Sequence, residues 1–209
     1  MKAIVMSIQS QHAYNILIGN KTMELRKSVP KDFVGWVYVY VTKASPYIAD
    51  DYYTDLNDNL IHVFENHGNN KGSDMDWKYL NCKVVARFWF DGYEKLRYDT
   101  NYDTCIVTPE YYSNEFPSEL LLKKLCLTYK QISKYLGYGN ISSAMHIKNL
   151  EIFDTPKELE DFNKYQLFKC EDIYDREDRE SCLENTTITK APQSYQYVEI
   201  IEKLKGEKE

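Results

Sequence analysis

The chain has 209 residues, 43% hydrophobic and 28% charged, with a net charge of −6. It is long enough to bury a core, and its composition fits a soluble globular protein. No apolar run approaches eighteen residues, so no membrane-spanning helix is expected.

Ala3 to Ile8 reads as a buried strand that continues from a short N-terminal run, too brief for a signal peptide. A helix follows over Ser10 to Ile18, with Ala13, Ile16 and Leu17 at helical spacing, Ser10 as N-cap and Gly19 as stop. Thr22, Glu24 and Arg26 alternate with Met23 and Leu25, which predicts a half-buried strand with its polar side facing out. Pro30 and Gly35 bracket a turn, and Trp36 to Thr42 is the clearest strand. Residues 46–78, rich in Asp, Asn, Tyr and Gly, read as an insertion of loops around a short helix near Leu60–Glu65.

Strand composition returns over Cys82 to Glu94, and Tyr98 to Ser113 is rich in loop residues. Ser118 to Leu127 predicts a helix. A second one begins at Thr128, whose Thr-x-x-Gln spacing to Gln131 is a capping box, and stops at Gly137. Ser143 to Phe153 alternates as a strand, and Thr155-Pro156-Lys157-Glu158 carries the signature of a helix start. Cys170 to Asn185 reads as a charged, exposed segment, Tyr195 to Ile201 as a closing strand, and residues 203–209 as a tail. Strands outnumber helices without βαβ alternation, so the fold class is α+β: a mixed β-barrel with a few flanking helices, one domain over residues 1–202.

The five cysteines are widely spaced, with neither zinc-knuckle spacing nor a His at ligand distance. Free thiols in a reducing cytoplasm follow, with no metal and no cofactor expected. Gly137-Tyr138-Gly139-Asn140 is a poor phosphate cradle.

Charge is unevenly spread. Residues 1–46 hold six cations against two carboxylates, a balance of +4, which leaves −10 for the remainder. One basic face on an otherwise acidic protein can meet an anion. It does not suit a broad grip on duplex nucleic acid, which needs many phosphate contacts. Gly19 to Lys27 concentrates that basic character: Lys21, Arg26 and Lys27, with Glu24 and the Thr22 hydroxyl. The 19 tyrosines pair up along the chain, as at Tyr52/Tyr53 and Tyr195/Tyr197. With the acidic remainder they offer a surface for a protein partner.

Several blocks resemble the ASCH domain of the PUA-like superfamily. They are Ser7-Ile8, Gly19-x-Lys21-Thr22-x-Glu24-Leu25-Arg26-Lys27, Val39 to Lys43, His146-Ile147-x-Asn149-Leu150 running into Asp154-x-Pro156-x-Glu158-Leu159, and Ala191 to Tyr195. The resemblance implies a PUA-like barrel with a cleft beside the first helix that takes RNA, a nucleotide or a modified nucleoside. Some small members hydrolyse N4-acylated cytidines with a lysine, a threonine and a glutamate. Lys21 matches the lysine, but Glu24 stands in the threonine position, and Leu125 and Cys126 stand near the acidic one.

The candidate ligand-binding residues are Ser7, Lys21, Thr22, Glu24, Arg26, Lys43, Gln193, Ser194 and Tyr197. Arg26 offers a bidentate fork and Lys21 a point charge, while Gln193, Ser194 and Tyr197 suit base edges. In an enzyme, Glu24 would activate a water and Lys21 would stabilise an oxyanion or act as nucleophile.

Overall fold

A computed structural model of the chain describes residues 1–69, 78–99, 104–107, 118–137, 141–165 and 187–199. At its centre lies β1 (Lys2–Ile8), whose residues after Lys2 are all buried, because neighbours cover both of its faces. It pairs in parallel with β3 (Gly35–Val41) and antiparallel with β13 (Tyr195–Glu199). The parallel pairing requires a crossover, and α1 (Ser10–Leu17) supplies it, with Ala13, Ile16 and Leu17 packed on Ile4, Met6 and Ile8. The sheet is completed by β7 (Val84–Phe90) and β11 (Lys148–Lys157) on one side and by β12 (Asn163–Lys164) beyond β13. Its opposite face buries Ala3, Val5, Tyr38 and Tyr40 beneath Leu159 and Phe162.

A second sheet has the order β2 (Met23–Arg26), β10 (Ile141–His146), β8 (Tyr93–Asp99), β9 (Thr104–Val107). On one of its faces Met23, Leu25 and Ala144 pack against Leu121 and Leu125 of α2 (Ser118–Leu125) and Ile132 and Leu136 of α3 (Tyr129–Leu136). The capping box at Thr128 forms: the Thr128 N–H donates to Gln131 Oε1 at 2.8 Å, and the Gln131 N–H to Thr128 Oγ1 at 3.3 Å. A third sheet joins β4 (Ile48–Thr54), β5 (Leu60–Asn66) and β6 (Lys78–Tyr79).

The α+β class holds, but these sheets are open among the described residues, not a closed barrel. β2 pairs with β10 and not with the sheet of β1 and β3, so no continuous ladder joins the three sheets among the described residues. The region 46–69 is a β-hairpin, without the expected helix at Leu60–Glu65. Asp55 Oδ1 accepts from the N–H groups of Asn57 and Asn59 at 2.8 and 2.9 Å, closing the turn that registers Thr54 with Leu60. The expected single strand over Ser143–Phe153 is two strands in different sheets. The helix expected at Thr155 is the end of β11, and only a 3-10 turn follows at Leu159–Asp161. Pro156 is tolerated because β11 is an edge strand with a register shift between Ile152 and Lys157.

Cys82 and Cys126 are free and half-buried. The side chains of the other three cysteines lie outside the described residues, as do 108–113, 170–185 and 200–209. Among the described residues no helix is long and apolar enough to cross a membrane.

Asn81 ties the segment after β3 to the start of β4. Its Nδ2 donates to the carbonyls of Thr42, Ala44 and Pro46 at 3.0–3.2 Å, and its Oδ1 accepts from the Ile48 N–H at 3.0 Å. Asn81→Ala is expected to lower unfolding stability in urea by about 2 kcal/mol, since several backbone groups lose their partner together. A loss below about 0.5 kcal/mol would mean that water replaces the amide at no net cost.

Candidate functional site

A cleft of about 730 Å³ opens where the end of β1, the start of α1, β2 and α3 converge. Its position follows from the alternation of β2. Met23 and Leu25 point to α2 and α3, so Glu24 and Arg26 point the other way, toward α1 and β1. The expectation that the polar side of this strand faces solvent is therefore corrected: Glu24 is 4% exposed and Lys21 2%.

Lys21 is held there by α2. A helix leaves its last carbonyls unpaired and carries a partial negative charge at that end. Lys21 Nζ donates to the Leu125 carbonyl at 2.5 Å, and the Thr22 N–H donates to the Lys124 carbonyl at 3.0 Å. The same ammonium lies 3.4 Å from Glu24 Oε2. On its other side Glu24 Oε1 lies 3.1 Å from Arg26 Nε, though that N–H does not point at it. Arg26 Nη2 donates to the Ser7 carbonyl at 2.6 Å. Ser7 is anchored in turn: its N–H donates to the Ser194 carbonyl at 3.1 Å and its hydroxyl to the Pro192 carbonyl at 2.6 Å.

α1 contributes Gln9 and His12 to the lining. Its N-cap position is Gln9, not Ser10, whose hydroxyl instead donates to the Ala44 carbonyl at 2.5 Å. Burial lowers the His12 pKa, and the Lys21 and Arg26 cations push it down further against the pull of Glu24. The imidazole is thus neutral at neutral pH. Gln131, Lys134 and Tyr135 of α3 form the facing wall, and Lys27 Nζ stands 5.2 Å from the centre of the Tyr135 ring. Four buried polar atoms of the lining residues make no hydrogen bond: His12 Nδ1, Glu24 Oε2, Arg26 Nε and Thr42 Oγ1.

Of the candidate residues, Ser7, Lys21, Glu24, Arg26 and Gln193 come together in this cleft. Thr22, Lys43, Ser194 and Tyr197 do not line it. Thr22 and Lys43 are exposed, the latter because Thr42 takes the inward position. Ser194 contributes only its carbonyl, to Ser7. The Tyr197 ring packs on Phe33 and Tyr195 beneath Lys2, whose Nζ is 4.0 Å from its centre, and burial raises its pKa. His146 stands away from the cleft, 3.3 Å from Asp91.

Six polar lining residues escape the sequence reading: Gln9, His12, Thr42, Gln131, Lys134 and Tyr135. The last three had a signal. They stand at i, i+3 and i+4 on a helix whose other stripe, Ile132 and Leu136, is buried. Among the described residues no cluster of three or more His, Cys, Asp or Glu could hold a metal ion.

No protein-family model matches the chain, and no curated protein does. The chain is similar in structure to the ASCH protein of Zymomonas mobilis. The match covers 88% of this chain and 95% of that one, at 13% identity and a TM-score of 0.43. A serine-to-alanine variant of the same ASCH protein matches with the same identity and TM-score, over 89% and 96% of the two chains. A tyrosine-to-phenylalanine variant matches at 13% identity and a TM-score of 0.42, over 90% and 100%.

Proposed function

We propose that the cleft binds one nucleotide or nucleoside unit, whether free, modified or presented by single-stranded RNA. The observation that carries this reading is the set of buried polar atoms that make no hydrogen bond, Glu24 Oε2, Arg26 Nε, His12 Nδ1 and Thr42 Oγ1, in one concave site. Buried polar groups are normally satisfied, so a mixed set of donors and acceptors left open implies a ligand rich in heteroatoms. A volume of about 730 Å³ suits a small molecule, and Tyr135, 41% exposed at the wall, offers a face for stacking. It is also the ligand class that the resemblance of the Gly19–Lys27 block implies.

A second reading is an amidohydrolase of N4-acylated cytidines, or a hydrolase of RNA. It is favoured by the open Glu24 Oε2, which could hold a water, with Lys21 beside it.

Fluorescence anisotropy with labelled short single-stranded RNA, competed by nucleosides and nucleoside monophosphates, tests the first reading. Tyr135→Ala sits at the wall and is expected to weaken binding by roughly 5- to 100-fold, the cost of one lost base–aromatic stack. Absence of binding at millimolar ligand rejects the proposal. Product formation from N4-acetylcytidine or RNA, lost in Lys21→Ala, would establish the hydrolase instead.

A further inference from the structure

The floor of the cleft is electrically incomplete. Lys21 and Arg26 face a single carboxylate, Glu24, and their side chains are only 1%, 12% and 6% exposed in that order. Buried charge is costly unless compensated, and among the described residues no other acidic residue lines the cleft. Two nitrogens on this floor, Arg26 Nε and His12 Nδ1, are buried without a hydrogen-bond partner.

We infer that the floor takes a phosphate-like anion, with Arg26 and His12 as its partners and Lys21 supplying charge, so that the ligand is a nucleotide rather than an uncharged nucleoside. This rests on the nucleotide-unit reading above and fixes which end of the unit lies deepest. The phosphate goes to the floor, and the base lies toward Gln131 and Tyr135 on α3.

The arrangement couples binding to a proton. In the free protein His12 is held neutral by burial and by the two cations, against Glu24. Lys134 and Tyr135 of α3 line the same cleft, and Lys134 adds to the cationic side. An arriving anion offsets Lys21 and Arg26 and favours the imidazolium, in which both ring nitrogens donate. The sign follows from linkage. His12 has a higher pKa in the complex than in the free protein, so affinity is lowest at alkaline pH. It rises as pH falls through the bound-state pKa and levels off below the free-state one.

Sulfate is the cleanest probe, because a phosphomonoester itself titrates near pH 6. The four histidine ring signals are followed by NMR from pH 5 to 8.5 with and without sulfate, and His12 is assigned through His12→Gln. The expected result is a raised His12 pKa in sulfate, with His62, His67 and His146 unmoved. A rise of one unit makes sulfate about tenfold tighter at the acidic plateau than at alkaline pH. His12→Gln is expected to abolish that pH dependence while leaving weak sulfate binding. If the His12 pKa does not move in saturating sulfate or nucleoside monophosphate, the inference is overturned. If the nucleoside then binds as tightly as its monophosphate, the unit-binding reading survives without the anion floor. If sulfate shifts His12 but no nucleotide competes, the anion site stands and the nucleotide reading falls.

Discussion

Replacing Glu24 by alanine is expected to destabilise the protein by about 3 kcal/mol, the cost of breaking a buried ion pair by removing one partner. The carboxylate is 6% exposed and lies 3.4 Å from Lys21 Nζ and 3.1 Å from Arg26 Nε, so its loss leaves two enclosed cations facing each other. In a chain of this size the melting temperature should fall by roughly 6–12 °C. Urea unfolding at matched pH measures the loss, and sulfate should restore part of it by occupying the vacated position. A change under about 1 kcal/mol would mean that the pair is worth no more than one exposed to solvent.

For Lys21→Met the expected loss is about 2 kcal/mol, the scale of a hydrogen bond from a charged donor. Methionine keeps an unbranched apolar stem in the same space, so the loss isolates the ammonium from packing. The effect should be local. Lys21 Nζ closes the C-terminal end of α2 at the Leu125 carbonyl, so amides of α2 should exchange faster while those of β1 and β3 keep their protection. Uniform loss of protection would instead show that the ion pair supports the whole structure. The outcome also separates roles: a lysine that mainly caps a helix is less free to act as a nucleophile.

The elements legible from sequence are those whose signals were local and uncontested. The Thr128–Gln131 box formed as read, because both partners lie within one turn and Ile132 and Leu136 turn a single face inward. The same kind of signal misled at Thr155-Pro156-Lys157-Glu158. There β11 continues beside β7, and the cap appears three residues later, where the Glu158 N–H donates to Asp161 Oδ2 at 2.9 Å. Pairing with a distant strand outweighed the local preference. The Gly19–Lys27 block was legible as a cluster of charge, but its direction was not. Alternation says that Glu24 and Arg26 share a side, and only the placement of α1 and β1 decides whether that side meets water. Tyr197 and Lys43 lie outside the cleft for a related reason: their chemistry suits a ligand, while the chain puts one under Lys2 and turns the other outward.

The anchoring of Ser7 reaches across almost the whole chain, since its hydroxyl bonds to Pro192, 185 residues away. A nascent polypeptide therefore emerges with its first strand lacking one edge until β13 has been synthesised. Contacts of such long range form slowly and late. A translation product halted before residue 190 would already hold Lys21, Glu24 and Arg26 and still lack the clamp that aligns the Ser7 carbonyl with Arg26. The alignment of the Ser7 carbonyl with Arg26 is in this way withheld until the residues from Pro192 through β13 have been synthesised.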